Sequence, residues 1–206
     1  MIIALSLLTV AATIGLLFAE RSGDRSRIWL FKPLASGGFI GTAWASGVAP
    51  LLFAGMVLGG IGDVLLIRKE DKRWFLAGII VFLWGHVAYL AAFLARGIDG
   101  PVLGGTLVVL ALPALFVGRV LWARAGKLRF AVVAYIVVIS VMLASATSLV
   151  ATGAPPMIAV GALMFYLSDL CVARERFVAH GFVNKLFGQP LYFGAQLVIA
   201  LWGGTA

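Results

Sequence analysis

Apolar segments alternate with short breaks that are rich in charge, glycine or proline along the whole chain. Each segment approaches the ~20 apolar residues that a helix needs to cross a bilayer. The segments fall at 2–19, 29–46, 49–67, 74–94, 101–121, 130–151, 156–173 and 186–204. The pattern predicts an all-α fold, a polytopic membrane bundle of eight transmembrane helices that forms a single domain over residues 1–206.

Composition supports a membrane protein and narrows the remaining classes. Only 12% of the residues are charged and 63% are hydrophobic, whereas a soluble domain has about a quarter of its residues charged. The net charge of +8 lies mostly in the short breaks, where membrane topology accounts for it, so nucleic-acid binding is not expected. Cys171 is the single cysteine, and no zinc-ligand spacing accompanies it, so neither a metal nor a cofactor is expected.

The distribution of Lys and Arg predicts the orientation. The links after segments 1, 3, 5 and 7, with their edges, hold Arg21, Arg25, Arg27, Lys32, Arg68, Lys69, Lys72, Arg73, Arg119, Arg124, Lys127, Arg129, Arg174, Arg176 and Lys185. The opposite side holds Arg96 alone. These links are therefore expected in the cytoplasm, with both termini extracytoplasmic and the protein in the inner (cytoplasmic) membrane. The first segment is expected to stay as a helix, because "LLFAE" lacks the pattern of a signal-peptide cleavage site.

Two aspartates lie inside apolar segments. Asp63, in "GGIGDVLLIRKEDKR", and Asp169, in "SDLCVARERF", each lie ~7 Å inside the first arginine that follows, at 1.5 Å per helical residue. Gly55 and Gly59 precede Asp63 at intervals of four residues, which places Asp63 on a face that another helix can approach closely. The likeness of the two stretches suggests a duplicated four-helix unit as one interpretation.

Further polar residues are expected near the same layer. Lys32, Gln189 and Tyr192 lie at a similar depth, and Gln196 continues a polar stripe with the last two at helical spacing. His86 is placed deeper, ~20 Å along its helix from Arg73.

Structural alternatives apply to each of these residues. Asp63 could instead cap its helix, reach the headgroups or pair with Lys69, and Lys32 could extend to the membrane surface. His86 could simply hydrogen-bond a neighbour, and Tyr192 and Gln196 could join helices.

Two carboxyl groups in a cavity of low dielectric can divide acid and base chemistry. Desolvation and mutual repulsion favour keeping one of them protonated. Glycosidases cleave acetal bonds in this way, through an oxocarbenium-like state. No Gly-x-Ser-x-Gly, His-Glu-x-x-His or Walker motif occurs in the sequence, so serine hydrolases, zinc proteases and NTPases lack support.

Five motifs resemble the YhhN family of membrane proteins, which includes lysoplasmalogenases. They are "FKP" at 31–33, "GDVLL" at 62–66, "FLAGIIVFLWGHVAYL" at 75–90, "YLSDL" at 166–170 with "RF" at 176–177, and "PLYFGAQLVIA" at 190–200. They occur in the family's order over essentially the whole chain. The resemblance implies hydrolysis of the vinyl ether bond of a lysoplasmalogen, such as lysoplasmenylcholine or lysoplasmenylethanolamine, to a fatty aldehyde and a glycerophospho-alcohol.

The same resemblance implies Asp63 and Asp169 as the catalytic residues. The lysophospholipid would enter from the cytoplasmic leaflet, toward which the site is expected to open. Lys32 is expected to contact a phosphate or a carboxylate. Orienting hydrogen bonds to the substrate are expected from Asn184, Gln189 and Tyr192. Gln196 is also expected to bind the substrate, and His86 could line the deeper end of the cavity or bond to one of the acids.

Two other functions remain open at this point. One is a proton-coupled transporter, since intramembrane acids also relay protons, although acids far from the midplane disfavour it. The other is a lysolipid-binding membrane protein without turnover. Neither the headgroup preference nor the oligomeric state follows from the sequence.

Overall fold

A computed structural model describes residues 1–68 and 70–204, and in these ranges the chain forms eight α-helices. They are α1 Ile2–Ser22, α2 Arg25–Ala45, α3 Pro50–Leu65, α4 Lys72–Ala95, α5 Gly100–Trp122, α6 Arg129–Ala151, α7 Met157–Phe177 and α8 Phe182–Trp202. Short 3-10 turns, Leu66–Arg68 and Gly126–Leu128, follow α3 and precede α6. The predicted all-α fold is confirmed.

Six of the helices in the described ranges are long and apolar enough to cross a membrane, namely α1, α3, α4, α5, α6 and α7. The other two, α2 and α8, have 21 residues each, but polar side chains such as Lys32 and Gln189 interrupt them. The chain is therefore a multi-pass helical membrane protein. Eight crossings, with both termini on one side, stay a prediction.

Several helices extend past the apolar segments that predicted them. The Asp24 side chain accepts a hydrogen bond from the Arg27 backbone N–H at 3.1 Å, so α2 begins at Arg25 and not at 29. Likewise α7 continues to Phe177 and α8 begins at Phe182. Hydropathy alone misses these helix ends because their residues are polar. The links between the helices are therefore shorter than hydropathy indicates.

Consecutive helices pack as four hairpins, and further contacts join the hairpins. Helix α8 packs against α1 and α2 as well as α7, so the first and last helices adjoin. Helix α5 packs mainly on α6, and Leu121 is the one buried residue of α5. The polar residues of α2, α3 and α8 thus lie inside the bundle, whereas α5 lies at its edge.

The glycine ridge of α3 permits close contacts with neighbouring helices. A Cβ atom on Gly55 would lie 3.1 Å from the Gly85 carbonyl oxygen on α4. On Gly59 it would lie 2.7 Å from Gln196 Nε2 on α8. The absence of side chains therefore brings both neighbours against α3, as its spacing predicts.

Candidate active site

A cavity of about 560 Å³ lies at the end of the bundle where the basic links are. Every helix except α5 contributes to its described lining. Asp63 and Asp169 both line it, together with Lys32, Asn184, Gln189 and Tyr192. Six of the eight candidate residues from the sequence therefore meet in one cavity.

Asp63 lies at the end of α3 and is 2% exposed. Its Oδ2 accepts a hydrogen bond from the Ser36 hydroxyl at 2.8 Å, and its Oδ1 lies 3.5 Å from Lys32 Nζ. The Tyr192 hydroxyl also lies close enough to interact with it. One carboxylate oxygen thus accepts a hydrogen bond, and the other faces a positive charge. Of the structural alternatives for Asp63, the pairing with Lys69 lies outside the described residues.

Asp169 has a different set of neighbours, on α4 and α6. The Tyr135 hydroxyl lies close enough to interact with its carboxyl group. Asp169 Oδ2 lies 2.9 Å from His86 Nε2, but the pair lacks the alignment of a hydrogen bond. Among the described residues this oxygen is buried without a hydrogen-bond partner.

His86 lies behind Asp169 and is 1% exposed. Its Nε2 is 2.9 Å from the Tyr135 hydroxyl, and its Nδ1 is 3.3 Å from Met142 Sδ. The Phe165 ring packs edge-on against the imidazole, with 4.5 Å between ring centroids. His86 is not among the residues that line the cavity in the described ranges. It therefore supports Asp169 and does not border the open space.

The sequence predicted that His86 lies deeper in the membrane than Asp169, and this prediction was wrong. Counting residues from the charged links placed His86 well below the acids, yet the two side chains are in contact. The count assumed that every helix begins at the membrane surface. In the structure α7 extends to Phe177, three residues past Arg174, so Asp169 lies two helical turns from the end of its helix.

The polar stripe of α8 forms a buried chain of hydrogen bonds. Tyr89 donates to Gln196 Oε1 at 2.5 Å, and Gln196 Nε2 donates to the Tyr192 hydroxyl at 3.3 Å. Because Tyr192 then accepts from Gln196, its own proton is directed to Asp63. Gln196 is fully buried and does not line the cavity in the described ranges, so it positions Tyr192.

A second ion pair joins α1 to α8 at the cavity wall. Lys185 Nζ lies 2.6 Å from Glu20 Oε2, and Gln189 Nε2 donates to Glu20 Oε1 at 3.2 Å. The Glu20 side chain is 10% exposed. Glu20 is thus a further carboxylate in the cavity wall, and Gln189 is hydrogen-bonded to it.

Asn184 borders the cavity, but its side-chain amide is hydrogen-bonded within the turn between α7 and α8. Its Nδ2 donates to Glu175 Oε2 and to the Ala179 carbonyl, both at 2.7 Å. Its Oδ1 accepts from Arg174. With these bonds formed, Asn184 fixes the turn at the cavity mouth.

Sequence reasoning missed Ser36, Glu20 and Tyr135. Ser36 lies one helical turn after Lys32, and this spacing could have indicated it. Glu20 is the one acid of the first segment and could have been considered for the same reason as Asp63. Tyr135 lies in an apolar run with no polar neighbour at helical spacing, so no signal marked it.

The fold and the cavity define a class, that of multi-pass membrane proteins with two aspartates in the wall of one cavity near the basic links. The chain belongs to the YhhN family, whose model matches residues 27–202. The predicted family is therefore confirmed.

Curated relatives of the chain have a named activity. The chain is 30% identical to lysoplasmalogenase TMEM86A of Homo sapiens over 187 residues, which covers 84% of this chain and 72% of the relative. It is 28% identical to lysoplasmalogenase TMEM86A of Bos taurus, with the same shares covered. Lysoplasmalogenase TMEM86B of Sus scrofa is 31% identical over 75% of this chain and 64% of the relative. No solved structure matches the chain significantly.

Proposed function

We propose that this protein is a lysoplasmalogenase, an ether hydrolase embedded in the membrane. The observation that supports it most is the pair Asp63 and Asp169 in the wall of one cavity, in a chain whose relatives are named lysoplasmalogenases. The substrate is a lysoplasmenyl lipid with a choline or ethanolamine headgroup. With one water molecule it gives a fatty aldehyde and a glycerophospho-alcohol.

The reaction needs one proton donor and one carboxylate. Protonation of the β-carbon of the vinyl ether gives an oxocarbenium ion, and water adds to this ion to form a hemiacetal. The hemiacetal collapses, releasing the aldehyde as the C–O bond to the glycerol oxygen breaks and that oxygen takes a proton. A neighbouring carboxylate stabilises the cation and accepts a proton from the water.

The contacts of the two aspartates suggest which one has which role. One oxygen of Asp63 accepts a hydrogen bond and the other faces the Lys32 ammonium group, and such contacts stabilise the ionised form. Asp169 keeps one oxygen without a hydrogen-bond partner among the described residues. Asp169 is therefore the proton donor, and Asp63 is the carboxylate that stabilises the cation and deprotonates water.

The proposal includes the topology. Helices α2 and α8 have 21 residues each, or ~31 Å at the helical rise per residue, which is enough to span the hydrocarbon core. With them the bundle crosses the inner membrane eight times and has both termini outside. The cavity mouth, bordered by Arg25, Arg176 and Lys185, then opens toward the cytoplasmic leaflet.

Single Asp→Asn variants test the function. Asp63→Asn and Asp169→Asn each remove one protonatable group at nearly constant volume, and each should lower aldehyde release from lysoplasmenyl lipid ~10²-fold or more. Asp24→Asn is the matched control, because Asp24 is not among the described residues that line the cavity and Asn caps a helix as well as Asp does. Aldehyde is measured by mass spectrometry on purified protein.

The outcomes separate the proposed hydrolase from its alternatives. Full activity of either cavity variant would contradict the two-acid mechanism. Bound lysolipid without product in the unsubstituted protein would instead indicate a lipid-binding protein. A panel of lysolipids that differ only in a vinyl ether, alkyl ether or acyl bond identifies the bond that is cleaved.

A further inference from the structure

A second, apolar groove adjoins the polar cavity between α4, α5, α6 and α7. Its described lining is aliphatic and aromatic apart from Tyr135, Asp169 and Arg176. It is narrow, with about 70 Å³ of free volume against about 560 Å³ in the polar cavity. These properties suit a hydrocarbon and not a charged ligand.

The groove and the polar cavity share part of their walls. Asp169 and Tyr135 line both, whereas Asp63 lines the polar cavity and is absent from the described lining of the groove. Phe75 and Arg176 also line both, with the guanidinium carbon 4.0 Å from the ring centroid. Asp169 therefore stands at the junction of a polar compartment and an apolar one.

The outer wall of the groove comes from the edge of the bundle. Val117 and Leu121 of α5 contribute to it, and α5 packs mainly on α6. Other α5 side chains, such as Leu112 and Phe116, are more than 70% exposed, which in a membrane means contact with lipid chains. A hydrocarbon can therefore reach the groove directly from the bilayer.

We infer that the groove binds the hydrocarbon chain of a single-chain lysolipid, whose headgroup occupies the polar cavity. This inference rests on the proposed function and adds the subsite for the chain. An amphiphile with one polar end and one chain matches the two joined compartments, and the narrow groove favours one chain over two. Its proximal methylenes lie in the groove, and the rest of the chain extends into the bilayer.

This placement also determines which atom of the vinyl ether faces which aspartate. The β-carbon of a vinyl ether is on the chain side of the bond, and the ether oxygen is on the headgroup side. With the chain in the groove, the β-carbon faces Asp169 at the junction and the oxygen faces the compartment of Asp63. The proton donor assigned from hydrogen bonding is thus also the acid nearer to the carbon that accepts the proton.

A substitution in the groove tests the subsite through turnover. Ala131 is exposed on α6 and lines the groove, whereas Ala134 is exposed on the same helix and is not part of the described lining. Ala131→Phe should raise KM for a long-chain alkenyl substrate about tenfold, the loss expected when about two methylenes are no longer buried. KM for an ethenyl analogue, which has no carbon beyond the double bond and so nothing to place in the groove, should not change, and Ala134→Phe should change neither value. Equal effects of Ala131→Phe on both substrates, or none on either, would overturn the assignment.

Photo-crosslinking tests the same subsite without turnover. The probe is an acyl lysophosphatidylcholine with a diazirine in its chain, bound to the unsubstituted protein in lipid nanodiscs. Labels should map to the groove residues of α5, α6 and α7, and excess unlabelled lysolipid should remove them. Labels in the groove that persist in the presence of the competitor would show that the groove takes up ordinary bilayer chains. Labels at other residues that the competitor removes would show that the chain binds outside the groove. Either result rejects the subsite. Competed labelling of the groove with no aldehyde from any vinyl ether would retain the subsite and reject the hydrolase.

Discussion

Lys32 forms an ion pair with Asp63 inside the bundle, and this pairing changes what the lysine is expected to do. The sequence allowed a contact with a lipid phosphate, pairing with an acid or extension to the membrane surface. Its side chain is 14% exposed and its Nζ lies 3.5 Å from Asp63 Oδ1. An opposite charge at this distance stabilises the carboxylate by about 1–3 kcal/mol. We infer that Lys32 acts on the reaction through Asp63.

A Lys32→Gln variant distinguishes these roles by its kinetics. If Lys32 stabilises the Asp63 carboxylate, kcat should fall about 10-fold to 100-fold, the equivalent of the lost interaction, with KM little changed. Lys32→Arg, which keeps the charge, should retain more of kcat. A raised KM with unchanged kcat would instead indicate contact with the lipid headgroup.

Single residues were predictable where an unusual side chain stood in an apolar pattern. Asp63 and Asp169 were identified because an acid in a membrane helix is costly, and both line the cavity. Tyr135 was not, because a tyrosine in an apolar helix is common and its importance depends on contact with Asp169. That contact joins two helices, and no local pattern records it.

At the scale of helices, α3 places Asp63 by presenting glycines to α4 and α8. The Gly59 position is filled by polar atoms of α8, since a Cβ there would lie 2.7 Å from Gln196 Nε2 and 3.0 Å from the Tyr192 hydroxyl. Gly59 therefore permits the hydrogen-bond chain that directs Tyr192 to Asp63. The same α3 face thus combines close packing with the geometry of the site.

A Gly59→Ala substitution should disturb this chain. The added methyl group must displace Gln196 or Tyr192, at a cost of ~1–3 kcal/mol for overpacking, so both thermal stability in detergent and aldehyde release should fall. Gly104→Ala in α5 is the matched control, since a Cβ there meets nothing within 4 Å, and both quantities should be maintained. Normal activity of Gly59→Ala would show that Tyr192 does not require its observed position.

The existence of the helices followed from hydropathy, but their ends and neighbours did not. Apolar length identified every helix in the described ranges because a bilayer requires ~20 apolar residues. The polar first turns of α2 and α8 were missed, since caps such as Asp24 act through hydrogen bonds. Which helices pack together depends on side-chain fit, and hydropathy does not contain that information.

For the whole molecule, the contact between the first and last helices completes the cavity. Glu20 on α1 and Lys185 on α8 form an ion pair at 2.6 Å, and both border the cavity. The family match begins at residue 27, after α1 has ended. A helix outside the matched region therefore contributes a wall and a carboxylate to the proposed site, which spans the bundle from its first helix to its last.

The orientation of this unit can be measured with single cysteines. In a Cys171→Ser background, Ser22→Cys is at the end of α1, beside the basic link, and Thr152→Cys lies after α6 at the opposite end, both exposed. Because Lys and Arg are retained in the cytoplasm, a membrane-impermeant maleimide should label Thr152→Cys in intact cells and Ser22→Cys only after permeabilisation. The background protein without added cysteines controls for other labelling. The reverse pattern would place the cavity mouth on the outer face and the lysolipid in the outer leaflet.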